Sequence, residues 1–252
     1  MEHRSRVQIV ETGGKTISNP RIIVGVPESG LVGLISTSYI VQGLKLQEAG
    51  YVDSELLPQV VVIHGSEPKK SPVAIFASET ERLVAILSEI PLAPRVSYEF
   101  GNEVEAWAKS KEAEMVVGVT GIPSSRRMEG EGETKPRVFG LSNSKEIVQK
   151  LQRAAVQLFE EGMVGGTLAT LLRRGMALGV PNLILLAESY AEFPDPTAAV
   201  SAIEVLNSVL SIKMDTKPLV EESEGIRLRT RELMRRTQQS MQQTAEAPSV
   251  YA

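Results

Sequence analysis

The sequence predicts an α/β sandwich, with helices packed around a largely parallel or mixed sheet. Three observations carry that reading. Short β-branched runs alternate with stretches of helical spacing along most of the chain. With 252 residues, 42% hydrophobic and 23% charged, the composition is that of a globular protein able to bury a sizeable core. No linker or second core precedes Lys217-Pro218, so one domain is expected over 1–217, followed by a C-terminal helix over 218–243 and a flexible tail over 244–252.

The elements follow in order. Ile22-Ile23-Val24-Gly25-Val26 reads as a buried strand that stops at Pro27. Leu31, Leu34, Ile35, Val41 and Leu44 then fall on one face of a helix expected over about 31–48, with Gly50 at its C-cap. Residues 59–64, 72–77 and 82–87 read as strands, and two adjacent strands there require an antiparallel piece. A helix is expected over 98–110, carrying Phe100, Val104 and Trp107, and a strand over 115–119. Periodicity is lost over 124–137. The mixed run Arg126-Arg127-Met128-Glu129-Gly130-Glu131-Gly132-Glu133 is expected to be a solvated loop or hairpin tip.

In the second half, Ser144 is placed to N-cap a helix with the stripe Ile147, Val148, Leu151, Ala154, Ala155 and Leu158, which Gly162 would stop. Leu168, Leu171, Leu172 and Met176 mark the next helix, ended by Gly179 and Pro181. A strand over 183–187 follows. Asp195-Pro196 is an N-cap with proline at the first helical position, opening a helix that buries Ala199, Val200 and Ile203. Residues 221–243 are nearly all Glu, Arg, Gln, Ser and Thr with thinly spaced apolar positions, as in an exposed or oligomer-contacting helix.

Composition excludes several chemistries. A net charge of −4 and 4% aromatics argue against a dedicated nucleic-acid binder. No apolar run reaches the ~20 residues of a membrane span, and no hydrophobic segment follows the amino terminus, so a cytoplasmic protein is expected. Cysteine is absent, histidine occurs only at positions 3 and 64, and aspartate only at 53, 195 and 215. A metal centre or a Ser-His-Asp triad would have to be built from almost nothing. No catalytic residue, metal or cofactor is therefore expected.

Five local features invite a functional reading. Gly25-Val26-Pro27-Glu28-Ser29-Gly30-Leu31-Val32-Gly33 lies at a strand-to-helix turn, where glycines and a helix N-terminus can cradle phosphate. No lysine follows Gly30 or Gly33, and Pro27 stands where a dinucleotide fingerprint needs its second glycine. Gly25, Pro27, Gly30 and Gly33 are thus read as a structural turn. Gly162, Gly165, Gly166, Gly175 and Gly179 flank one helix and are read as packing positions, with an anion site as the alternative. His64 beside Ser66 and Glu67 is read as a hydrogen-bonded structural residue. Glu188-Ser189-Tyr190 follows a strand at the edge where α/β proteins bind ligands. Val250-Tyr251-Ala252 has the pattern hydrophobic–tyrosine–any, and its ring, aliphatic side chain and carboxylate suit capture in a partner's pocket.

These landmarks together resemble the proteasome assembly chaperone 2 family and its archaeal homologues. The resemblance rests on Gly25-Val26-Pro27 with Gly30-Leu31-Val32-Gly33, on Glu161-Gly162-Met163-Val164-Gly165-Gly166 leading to Leu171-Leu172, on Gly179-Val180-Pro181, and on Pro194-Asp195-Pro196-Thr197-Ala198-Ala199. It implies a nucleoside-phosphorylase-like domain, a homo-oligomer, and an ATP-independent protein that assembles or activates the 20S proteasome. It also implies that Val250-Tyr251-Ala252 docks into pockets between α-subunits of the α-ring. Two other readings stand beside it: a phosphorylase-like or ATP-grasp-like enzyme that binds a small molecule or nucleotide, and an oligomeric scaffold whose tail is inert.

Overall fold

The structure is a computed structural model and describes residues 6–12, 17–128 and 135–221. Its elements run β1 (Val7–Glu11), β2 (Arg21–Gly25), a 3-10 turn (Ser29–Leu31), α1 (Val32–Gly43), β3 (Gln47–Ser54), β4 (Ile63–His64), β5 (Glu67–Pro68), β6 (Val73–Ser78) and β7 (Leu83–Ser88). They continue α2 (Pro94–Ser110), β8 (Met115–Pro123), α3 (Ser125–Met128), β9 (Val138–Ser142), α4 (Lys145–Arg153), β10 (Gln157–Leu158), α5 (Gly166–Leu178), β11 (Asn182–Ser189) and α6 (Pro196–Leu210). The chain divides into two units, Met1–Met214 and Asp215–Ala252, and all these elements belong to the first.

The most apolar strands occupy the centre of the sheet. β7, β2, β8 and β11 run side by side and parallel, within a nine-stranded order β1-β3-β6-β7-β2-β8-β11-β9-β10. β6, β3 and β1 extend one side antiparallel, and β9 joins β11 antiparallel on the other. The sheet is mixed around a parallel core. Central strands covered on both faces read as continuous apolar runs, as RIIVG and LVAILS do.

Side-chain alternation assigns the two faces. Ile22, Val24, Val84, Ile86, Val116 and Ile184 share one buried cluster with Phe100, Val104 and Ala108 of α2 and Leu168 and Leu171 of α5. The alternate residues point the other way, to the face on which α1 and α6 pack against the strands and each other. Between those two helices the Ser36 hydroxyl donates to the Ala199 carbonyl at 3.4 Å.

Several expected elements are corrected. The helix expected over 31–48 stops at Gly43, because the chain enters the left-handed region at Lys45 (φ 53°) and then runs into β3. Gly50 is therefore not a helix cap; it lies inside β3, opposite Glu11. The strand expected over 59–64 shrinks to Ile63–His64, which pairs with Glu67–Pro68 outside the main sheet. The helix opened after Ser144 ends at Arg153, since Ala155 turns left-handed (φ 54°) and residues 157–158 add an edge strand beside β9. Phe159 then packs edge-on against Phe139, centroids 6.4 Å apart. Ser144 occupies the N-cap position of that helix without a side-chain capping bond. Of the C-terminal helix expected over 218–243, residues 218–221 are helical and the rest lie outside the described residues.

One polar residue sits in the core of the α2–α5 face. Glu105 on α2 is fully buried, and its Oε1 accepts from Asn182 Nδ2 at 3.1 Å. Glu105 Oε2 and Asn182 Oδ1 are both left without a partner. Burial outweighs the Asn182 hydrogen bond and pushes the carboxyl from 4.5 up to about 8. A protonated Oε2 gains a hydrogen to donate, and Asn182 Oδ1 is the acceptor that lacks one. Because the native state holds this proton and the unfolded chain releases it near pH 4.5, Glu105 makes stability fall as pH rises from about 4.5 to 8. Thermal melts across that window should show the decline in wild type and a flatter profile in Glu105→Gln, whose amide keeps a donor at every pH.

Candidate functional site

The carboxyl ends of the four parallel strands bring together two of the sequence features singled out above, the Gly25–Gly33 turn and Glu188-Ser189-Tyr190. Gly25 ends β2, and Gly33 is the second residue of α1. A Cβ on Gly33 would collide with the Val119 carbonyl oxygen, and one on Gly25 with the Thr37 side chain, so the helix sits directly on the strands. Gly30 has φ 64° and faces Ser189, which would stand 2.8 Å from an added Cβ. Leu31 N–H donates to the Glu28 carbonyl at 2.9 Å and closes the turn. Pro27 and Glu28 leave the turn toward α5 and line a cleft with it.

The loop after β11 locks this turn from the side. Asp195 N–H donates to the Gly30 carbonyl at 2.8 Å. The Asp195 carboxylate caps α6 by accepting from Ala198 N–H at 3.1 Å and also accepts from Tyr190 N–H at 3.3 Å. Its third partner is Arg127, whose Nη2 reaches both carboxylate oxygens at 2.8 Å and whose Nε reaches one at 3.1 Å. The two side chains are 3% and 2% exposed, a buried and multiply bonded ion pair. The Arg127 guanidinium also lies 4.9 Å from the centre of the Tyr190 ring.

A second acid stands beside it. Glu188 is buried and accepts from Arg137 Nη2 at 2.6 Å, from Arg137 N–H at 3.1 Å and from the Ser124 hydroxyl at 3.2 Å. Arg126 approaches the same carboxylate at 3.5 Å. The Arg137 hydrogen bonds hold the Glu188 carboxyl below its ordinary range. The stretch expected as a solvated loop over 124–137 therefore supplies structural cations at both ends. Residues 129–134 of that stretch lie outside the described residues.

The other features take their places. His64 is on the exposed β4–β5 hairpin, with Nε2 2.7 Å from Glu89 Oε2. Gly175 lets Asn182 approach α5, Gly179 ends that helix in the left-handed region (φ 68°), and Gly166 (φ 64°) makes room for the Glu28 carboxylate. Val250, Tyr251 and Ala252 lie outside the described residues. No group of three His, Cys, Asp or Glu side chains that could hold a metal ion occurs among the described residues, and no described helix is long and apolar enough to cross a membrane.

Sequence reasoning missed the roles of Arg127 and Arg137. Each lies in an aperiodic charged run, and only the buried carboxylates of Asp195 and Glu188, distant in sequence, reveal why a cation is needed there.

A mixed nine-stranded sheet with a glycine-tight β2–α1 connection pinned by a buried aspartate defines an α/β protein whose turn is committed to internal contacts. The chain belongs to the PAC2 family, whose model matches residues 22–234. It is 28% identical over 227 residues to an uncharacterized protein of Methanocaldococcus jannaschii, covering 90% of both chains. Among solved structures it matches PbaA of Pyrococcus furiosus, an archaeal homolog of proteasome-assembly chaperone, at TM-score 0.81 and 26% identity over 95% of this chain and 96% of that one. It shares its fold with PbaB of the same organism, an archaeal proteasome activator, at TM-score 0.76 and 20% identity over 93% of this chain and 100% of that one.

Replacing Arg127 by Met should cost about 3–5 kcal/mol, because Asp195 is left charged and buried. Asp195→Asn together with Arg127→Met should recover much of that loss, since an amide oxygen still caps α6. Urea-unfolding midpoints of the single and double variants check both expectations.

Proposed function

We propose that this protein is an ATP-independent proteasome-binding factor, an assembly chaperone or activator of the 20S core particle. The observation that carries the reading is the match to PbaA over 95% of this chain and 96% of that one, at 26% identity. PAC2 family membership over residues 22–234 supports it independently of any single motif.

The anchor in this reading is Val250-Tyr251-Ala252, entering pockets between α-subunits. A buried aromatic in a matched pocket is a typical hot spot, worth ~2 kcal/mol or more on truncation. The carboxylate is fixed beside the ring, so one lysine in the partner can pair with it while the ring is seated. A homo-oligomer would present several such tails, and linked weak contacts gain avidity through effective concentration. Ile63 in β4 and Val61 just before it, 64% and 63% exposed, are apolar surface that subunit contact would cover.

Catalytic silence is part of the proposal. It is supported by the lysine-free glycine turn and by the internal pairing of Arg127, Arg137, Glu188 and Asp195. Calorimetry with ATP, GTP and purine nucleosides should show nothing tighter than about millimolar; a micromolar constant would favour the enzyme reading.

A pull-down of 20S α-subunits tests the anchor. Tyr251→Ala and removal of 250–252 should abolish binding, and a few residues added beyond Ala252 should be nearly as harmful. Ala252→Ser should bind as wild type. Wild-type affinity in the truncated protein would move the contact to the folded domain, and no binding by any form would leave the inert scaffold. Light scattering at micromolar concentration should give a multiple of the 27.4 kDa chain mass.

A further inference from the structure

A cleft of about 420 Å³ opens beside the carboxyl ends of β2 and β7, where Pro27 and Glu28 leave one strand and 91–94 lead from the other into α2. Its size is that of small-molecule sites. It also lies where the sheet order reverses: from β2 the chain places β7 on one side, then crosses back to place β8 on the other. Open α/β sheets form their binding crevices at such points.

The charges in the cleft have one sign. Among the described residues that line it, Glu28 is the only charged one, and none is Lys, Arg or His. The Thr167 N–H, in the first turn of α5, already donates to the Glu28 carboxylate, as does the Thr120 hydroxyl. The positive end of that helix is thus matched by an anion of the chain itself. A phosphate or carboxylate entering the cleft would meet Glu28, with no cation among the described lining residues to offset the repulsion.

The same arrangement suits a cation. A carboxylate has about four acceptor sites, and the two donors from Thr120 and Thr167 leave capacity for another N–H. Burial makes the unpaired anion costly and pushes its proton affinity up, so a positive group brought next to it recovers that cost. The walls are apolar, built from Val26, Pro27, Pro91 and Leu92. Tyr98 adds an aromatic ring that is 51% exposed. Gly166 is the position that keeps the carboxylate seated, since a Cβ there would come within 2.8 Å of Glu28 Oε1.

We propose that this cleft is a binding site for a small organic cation, a primary ammonium on an apolar or aromatic body. The ammonium donates to Glu28, and the body lies against Pro27, Leu92 and the Tyr98 ring, whose face attracts positive charge.

Titration of the full chain with benzylammonium chloride, followed by two-dimensional amide NMR and calorimetry, tests this. Saturable binding is expected, with shifts confined to residues 26–28, 91–98 and 166–170, and no saturable binding of sodium benzoate or benzyl alcohol. Glu28→Gln should weaken benzylammonium at least tenfold. Tyr98→Ala, on the exposed face of α2, should weaken it severalfold and serves as the second variant if Glu28→Gln does not fold. Absence of saturable binding, equal binding of benzoate, shifts elsewhere on the protein, or unchanged affinity in both variants would overturn the proposal.

Discussion

The end of the sheet that carries the glycine turn depends on one buried carboxylate. Asp195 contacts four groups: its carboxylate accepts from the Arg127 guanidinium, the Tyr190 N–H and the Ala198 N–H at the head of α6, and its own N–H donates to the Gly30 carbonyl. Burying a lone carboxylate is costly, so the residue is tolerable only with all these partners in place. The reverse also holds. The β2–α1 turn, the loop after β11 and the short helix after β8 all meet at this residue, and the shared ion helps to fix their spacing.

That arrangement also separates two kinds of chemistry at one sheet edge. On the side of β8 and β11, the acids Glu188 and Asp195 are paired with arginines and use their charge for internal bonding. On the side of β2 and β7, Glu28 meets a hydroxyl and a backbone N–H among the described residues. On the first side the acids are committed to salt bridges within the chain. The second keeps a carboxylate bonded only to neutral groups among the described residues, so the glycine turn and Glu28 belong to different environments although Glu28 and Gly30 are two residues apart.

What was legible in the sequence follows from the range of the forces involved. Asp195-Pro196 identified a helix start because capping is decided within four residues, and Gly179 identified a helix end for the same reason. β2, β7, β8 and β11 were readable because strands buried on both faces are apolar throughout. β3 and β9 were not. Their sequences, QEAGYVDS and VFGLS, are half-exposed or interrupted by glycine, and only pairing with β1, β6 and β11 makes them strands. The stripe after Ser144 was helical in spacing through Leu158, but the sheet edge offered by β9 competed for residues 157–158 and won. Of the cleft, Glu28 and Pro27 were visible as part of the turn. Its other wall comes from 91–98 and 166–170, which no local pattern connects to them.

The position of β2 has a consequence for how the chain acquires its structure during synthesis. β2 is the first of the four parallel strands to be made, yet both its neighbours, β7 and β8, come later in the sequence. The hairpin of β6 and β7 and the pairing of β3 with β6 are local and can close early. The apolar run of residues 22–26 must then wait, unpaired on at least one edge, until residues 115–119 have left the ribosome. A factor that shields extended apolar strands has its target here, in the nascent chain's earliest core segment.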